Sequence, residues 1–186
     1  TGDGAITDAD KRVIADTNPD FTYGLTNTLT WKNFTFSFFL QGTYGNDILN
    51  ANTIANNTSA SMTGIQNITR EQYDTRWTAE NAANAKWPKP IESGYKREWK
   101  FSDRYIEDGS YLRLKNISLG YTFFPKWKGI GSINIYASAQ NLFTITGYSW
   151  YDPDVNAYGS DVTRQGVDLY SYPSSRIYSF GVKLTF

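Results

Sequence analysis

Neither cysteine nor histidine occurs anywhere in the 186 residues. Within this chain that removes a disulfide framework, a thiol nucleophile, a zinc cluster and a Ser-His-Asp triad. An excess of charge is missing too. The 18 Lys and Arg cancel the 18 Asp and Glu, so no bulk charge is present to hold a nucleic acid. No run approaches the ~20 apolar residues of a spanning helix, which excludes a helical membrane protein. A β-barrel is not excluded, because its strands need only alternate residues to be apolar. The opening TGDGAITDAD has no initiator Met and no apolar signal core, and a piece of a longer protein is expected.

What is abundant is aromatic. Phe, Tyr and Trp make up 17% of the chain, with 14 Tyr and 6 Trp among them. Tyr and Trp join an apolar ring to a polar tip, which suits wet binding surfaces and membrane interfaces. Their placement is periodic. From Phe21 the residues Phe21, Tyr23, Leu25, Leu29 and Trp31 share one face, with Thr22, Gly24, Thr26, Thr28 and Thr30 opposite. After Lys32-Asn33, Phe34, Phe36, Phe38, Leu40 and Tyr44 repeat the pattern. This alternation predicts two strands joined by a two-residue link, with both apolar faces on the same side. Asn27 on the apolar face and Phe39 on the polar face break the rule.

Two further strands are expected in SYLRLKNISLGYTFF and SINIYASAQNLFT, with Ile117, Leu119, Tyr121 and Phe123 on one apolar face and Ile133, Ile135, Ala137 and Ala139 on the other. The last, RIYSFGVKLTF, sets Arg176, Tyr178, Phe180, Val182, Leu184 and Phe186 against Ile177, Ser179, Gly181, Lys183 and Thr185. Strands near eleven residues exceed the soluble mean of ~5–6 and match the ~9–11 that a bilayer needs. Long and short connections alternate. An up-and-down antiparallel sheet then gathers its long loops at one end, as outer-membrane barrels do. The fold expected is all-β: an antiparallel up-and-down transmembrane β-barrel, of which about five strands are present, since closure takes at least ~8.

By segment, an extracellular loop with a calcium-loop-like turn is expected over 1–20, a β-hairpin over 21–45 and a long extracellular loop over 46–110. A second hairpin is expected over 111–143, another extracellular loop over 144–175, and the closing strand over 176–186. All belong to one barrel domain. The rival arrangement is a soluble or surface-anchored β-sandwich that binds carbohydrate, its outer face in water.

The blocks DRYIEDGSYLRLKNISLGYTF, INIYASAQNLFTITGYSWYDPDV and the ending YSFGVKLTF resemble the C-terminal part of SusC/RagA-type TonB-linked outer-membrane transporters. GDGAITDADKRVI and NPDFTYGLTNTLTWKNFTFSFFLQGTYGNDILN resemble the segment preceding it, so the likeness covers essentially the whole chain. The resemblance implies a plugged barrel of about 22 strands, importing nutrients across the outer membrane, with oligosaccharides first and peptides next. It further implies a SusD-like lipoprotein lid, a TonB complex engaged through an N-terminal region outside this chain, and contact with outer-membrane lipid. It also implies recognition of the last strand by the barrel-assembly machinery, through Tyr178, Phe180, Val182, Leu184 and Phe186. No enzyme and no nucleic-acid partner are implied.

Candidate sites come with two readings each. In GDGAITDAD, Asp3 and Asp10 would supply carboxylates and Ala5 a carbonyl to calcium, the only cofactor suggested; the alternative is an Asp/Gly turn without metal. Tyr148, Trp150, Tyr151 and Tyr158, with Asp152, Asp154 and Asn156, could stack on and hydrogen-bond a glycan, or could pack the loop. Trp77, Trp87, Tyr95 and Trp99 carry the same pair of readings. Adjacent carboxylates such as Asp152 and Asp154 do not set the separation that glycoside hydrolysis requires, so no catalytic residue is expected.

Overall fold

The computed structural model describes residues 4, 7–57, 69–87, 102–154 and 156–186. Its strands and helices run, in chain order, β1 (Phe21–Trp31), β2 (Phe34–Tyr44), β3 (Asp47–Asn50), α1 (Ala51–Asn57), α2 (Arg70–Thr75), β4 (Ile106–Asp108), β5 (Tyr111–Phe123), β6 (Ser132–Thr146), β7 (Val167–Asp168) and β8 (Ile177–Thr185). By contacts the chain divides into a sheet unit, covering 18–47, 108–155 and 172–186, and a connection unit, covering 1–17, 48–107 and 156–171.

The sheet unit is one five-stranded antiparallel sheet in the order β1-β2-β5-β6-β8. Each strand pairs with the next long strand in sequence, so the sheet is a plain up-and-down meander. Register keeps like with like. Leu25 opposes Leu40, Phe36 opposes Leu119, Leu119 opposes Ala137, and Ala137 opposes Phe180. The apolar face is therefore continuous over all five strands, and Leu25, Leu29, Leu119, Ile135, Phe180 and Val182 on it are exposed. The ten residue steps from Phe21 to Trp31 cover ~33 Å, or ~25 Å of height at barrel tilt, which is the apolar band of a membrane barrel. Aromatic rings mark both ends. Phe21 and Tyr44 lie 5.3 Å apart at one, and Trp31 and Phe34 lie 6.2 Å apart at the other.

The opposite face is polar. Ser37 and Ser118 hydroxyls meet at 2.7 Å, and the Asn134 amide donates to the Thr122 hydroxyl at 2.9 Å. Tyr136 lies there between its pair partners Gly120 and Gly181.

Strand β5 carries one irregularity. Leu114 pairs with Leu40 and Asn116 with Phe39, leaving Lys115 as a bulge. The extra residue shifts the phase of β5. Leu112 and Leu114 share the apolar face with Ile117 and Leu119, while Tyr111 and Arg113 share the polar face with Asn116 and Ser118. Strand β6 runs on to Thr146, past the expected 143, because Phe143 and Ile145 continue the alternation opposite Leu114 and Leu112.

The connection unit has a small sheet of its own, β4-β3-β7, in which β3 and β7 are parallel. Its interior is largely polar. Asn50, Asn52, Gln72 and Asp168 are buried beside Ile48 and Ile54. The Asn50 side-chain amide donates to the Glu107 carboxylate at 2.8 Å, and the Asn52 side-chain oxygen accepts from the Tyr170 backbone amide at 2.5 Å. Helix α2 is capped by Thr69, whose hydroxyl accepts from the Gln72 amide at 3.2 Å.

Candidate functional site

At the end of the sheet from which the long connections leave, the polar face closes around Arg113. Its side chain is 1% exposed. A buried guanidinium needs partners for its donors, and the neighbouring chain supplies them. Nε donates to the Thr144 hydroxyl across the β5–β6 pair at 2.9 Å. One terminal nitrogen donates to Asp152, and the other to Ser174 Oγ at 3.2 Å and Asp154 at 3.4 Å. The Tyr111 ring lies 5.2 Å away. Tyr111 is itself held, since Tyr23 reaches across Gly42 and donates its hydroxyl to the Tyr111 carbonyl at 2.9 Å.

Asp152 is the counter-ion, 5% exposed. Besides Arg113 it accepts the Asp154 amide at 2.9 Å through one oxygen and the Ser174 amide at 2.9 Å through the other. Burial alone would raise its pKa. The two amides and the guanidinium outweigh that, and the carboxyl is held below its usual range. Asp152 stands just after β6 and Ser174 just before β8. One guanidinium thus ties down both ends of the connection between those strands.

The structure separates the aromatic and acidic residues that the sequence groups together. Tyr148 is buried, with its amide donating to the Thr146 hydroxyl at 3.1 Å. Asp152 is used up by Arg113. Trp150 and Tyr151 stay outside this packing as an edge-to-face pair with centroids 5.1 Å apart, and Tyr151 is 74% exposed. Asp154 remains partly exposed beside them in sequence. An open ring pair next to a reachable carboxylate can stack on a flat apolar face and bond a hydroxyl.

In the connection unit, Trp77 is exposed and Trp87 buried; the Trp77 amide donates to the Trp87 carbonyl at 2.8 Å, and Arg104 lies 5.7 Å from the Trp87 ring. Trp87 is therefore part of the packing there, and Trp77 alone offers a surface. Tyr95 and Trp99 lie outside the described residues. So do Asp3 and Ala5 of the calcium-loop reading. Asp10 caps the turn it belongs to, its carboxylate accepting the Thr7 amide at 2.8 Å. Among the described residues no group of three acidic side chains is assembled for a metal.

Tyr178, Phe180, Val182 and Leu184 lie in a row on the apolar face of β8, exposed, with Phe186 beyond them. The residue that sequence reasoning missed is Arg113. Its signal was there to read, since a charge enclosed by Leu112 and Leu114 in a long strand must find a counter-ion.

No protein-family model matches the chain. Individual relatives do. The chain is 35% identical over 192 residues to TonB-dependent receptor P3 of Formosa agariphila, covering all of this chain and 18% of that protein. It is 29% identical over 191 residues to TonB-dependent receptor SusC of Bacteroides thetaiotaomicron, again over all of this chain and 17% of the relative. Among solved structures, the RagAB peptide importer in its open-open state superposes with a TM-score of 0.75 at 24% identity, covering 94% of this chain and 18% of that one. The chain thus spans less than a fifth of the length of these relatives. End-to-end similarity to the receptors, joined to a fold that superposes on RagAB, makes this chain a segment of the SusC/RagA family of TonB-dependent receptors.

Proposed function

We propose that the chain forms five strands of the wall, with two of the long connections, of a TonB-dependent importer that takes up oligosaccharides across the outer membrane. The observation that carries this reading is the sheet itself. One face is apolar over the height of a bilayer, the other is polar, and the long connections leave from one end only. A SusD-like lipoprotein would sit over those connections, and TonB would act through residues outside this chain. The barrel-assembly machinery would read Tyr178, Phe180, Val182, Leu184 and Phe186. Glycan is favoured over peptide by the exposed Tyr151 ring, set edge to face against half-buried Trp150 beside Asp154, and by Trp77, since sugar rings offer flat C–H faces to aromatic planes.

Fractionated source cells, blotted with antibody against the Tyr148–Tyr172 segment, test the membrane part. The expected band is in the outer membrane at roughly five times this chain's size, as its 18% share of a relative implies. A soluble band no larger than this chain would end the barrel reading. Uptake of labelled oligosaccharides and labelled peptides by cells lacking the gene tests the substrate. A defect confined to peptides would retain the importer and remove the glycan assignment.

A narrower outcome is expected from Tyr151→Ala in the full receptor. Glycan affinity should fall by up to about tenfold, the scale of one aromatic contact, with barrel stability unchanged. Isothermal titration of the purified receptor reads this directly, and unchanged affinity would remove Tyr151 from the site.

A further inference from the structure

The acidic residues are sorted along the chain. None of the 18 lies within 21–46, 109–151 or 169–186. In the sheet unit the carboxylates belong to Asp20, Asp47, Asp108, Asp152 and Asp154, and all five stand at the end where the long connections leave. The opposite end is built from two short links, Lys32-Asn33 between β1 and β2 and residues 124–131 between β5 and β6. These carry Lys32, Lys126 and Lys128, all exposed, and no acidic side chain. Among the described residues none of the three lysines pairs with a carboxylate. The links adjoin, since the Thr122 amide donates to the Asn33 carbonyl at 2.9 Å and Phe34 pairs with Tyr121.

A collar of rings lies directly against them. Trp31 to Phe34, Phe34 to Tyr121 and Tyr121 to Phe123 are separated by 6.2, 4.5 and 4.5 Å. The Lys32 ammonium sits 4.9 Å from the Trp31 ring, and Phe124 and Trp127 add two exposed rings on the second link. The apolar face ends at this same collar.

We propose that the lysine and aromatic collar binds the anionic phosphate headgroups of the membrane leaflet that meets the short links. The inference rests on the barrel reading above. If the apolar face lies in hydrocarbon, the rings stand at the interface and the flexible ammonium groups reach outward into the headgroup layer. There each lysine gains from an anionic surface over about a Debye length, and the links carry no acidic side chain to offset the gain. Zwitterionic headgroups offer the same phosphate with a compensating cation, so the collar distinguishes the two.

The test uses the full-length receptor in nanodiscs made with equal parts of phosphatidylglycerol and phosphatidylcholine. Insertion is read first, as co-elution with the disc scaffold. Lipids retained after extraction into detergent are then counted by native mass spectrometry. Anionic lipid should be enriched about tenfold, and enrichment should fall towards parity in Lys32→Gln/Lys126→Gln/Lys128→Gln and in high salt. Lys86→Gln, in the connection unit, should leave it unchanged. If the triple variant does not fold, Lys126→Gln/Lys128→Gln gives the same comparison at reduced amplitude. Equal retention of the two lipids by the wild type overturns the proposal, as does enrichment that survives the substitutions. So does an acidic protein that co-purifies through these lysines while the lipids stay at parity. A receptor that never enters the discs overturns the barrel reading, and the collar with it.

Discussion

Arg113→Met is expected to destabilise the receptor by about 3–5 kcal/mol, because it leaves the Asp152 carboxylate buried without its counter-charge. Asp152 would keep the amides of Asp154 and Ser174, but those bonds do not neutralise it. The first visible consequence should be local. Both ends of the β6–β8 connection hang on the guanidinium, so proteolytic nicking within 156–171 should precede any loss of the barrel in a urea series. Adding Asp152→Leu should recover most of the loss, since an apolar pair of similar volume often matches a buried ion pair. If the double variant is no better than the single, the pair is not what holds the connection. The wild type should approach the variant in acid. The folded pKa of Asp152 is depressed, so its stabilisation is full above the ordinary carboxylate value near 3.9 and disappears as pH falls below it. Nicking that rises only below about pH 4 is the expected profile.

Gly42→Val is the second large effect, and its cause is backbone rather than charge. A Cβ at Gly42 would overlap the carbonyl oxygen of Tyr111 and the ring of Tyr23. The side chain of Tyr23 can swing away, at the cost of its 2.9 Å hydrogen bond to that carbonyl. The carbonyl itself cannot move without parting β2 from β5. Overpacking and the lost bond together amount to about 2–4 kcal/mol. Gly181 makes a useful contrast, because the three atoms nearest its missing Cβ all belong to the Tyr136 side chain. Tyr136→Ala should therefore rescue Gly181→Ala, whereas Tyr23→Ala should not rescue Gly42→Val. Urea midpoints of the four variants decide it, and rescue in both cases would locate the Gly42 conflict in the ring alone.

The five long strands were legible because each alternates with a period of two, and a face that meets lipid must keep that period along its length. Phe39, an exception on the polar face, proves to lie over Gly24 of the neighbouring strand, where a Cβ would come within 3.2 Å of its ring. Its partner was one strand away and could not be read locally. The same holds for β3, β4 and β7, which are two to four residues long. Leu49 pairs with Val167, and no periodicity survives in pieces so short. The candidate site was half legible. Trp150 and Tyr151 remain presented, but the sequence shows Asp152 and Asp154 as equals beside them. Only the fold reveals that Asp152 faces a buried arginine 39 positions earlier in the chain. Asp10 likewise stands alone in the sequence, and only the fold reveals its bond to the Thr7 amide.

Lys115 is one surplus residue in a strand, and it lets a single strand serve two incompatible surroundings. Paired residue for residue with no bulge, unbroken alternation from Leu119 backwards would turn Arg113 out with Leu119 and Ile117, delivering a permanent cation into the hydrocarbon, and would bring Leu112 and Leu114 inside. The anchored connection on one side of the wall and the oily surface on the other are thus compatible only through a deliberate stumble in count. Because the bulge absorbs the surplus residue, losing Lys115 would leave Arg113 inside and Leu112 and Leu114 outside, whereas drawing Lys115 into the ladder would exchange inside for outside over the whole upper part of β5.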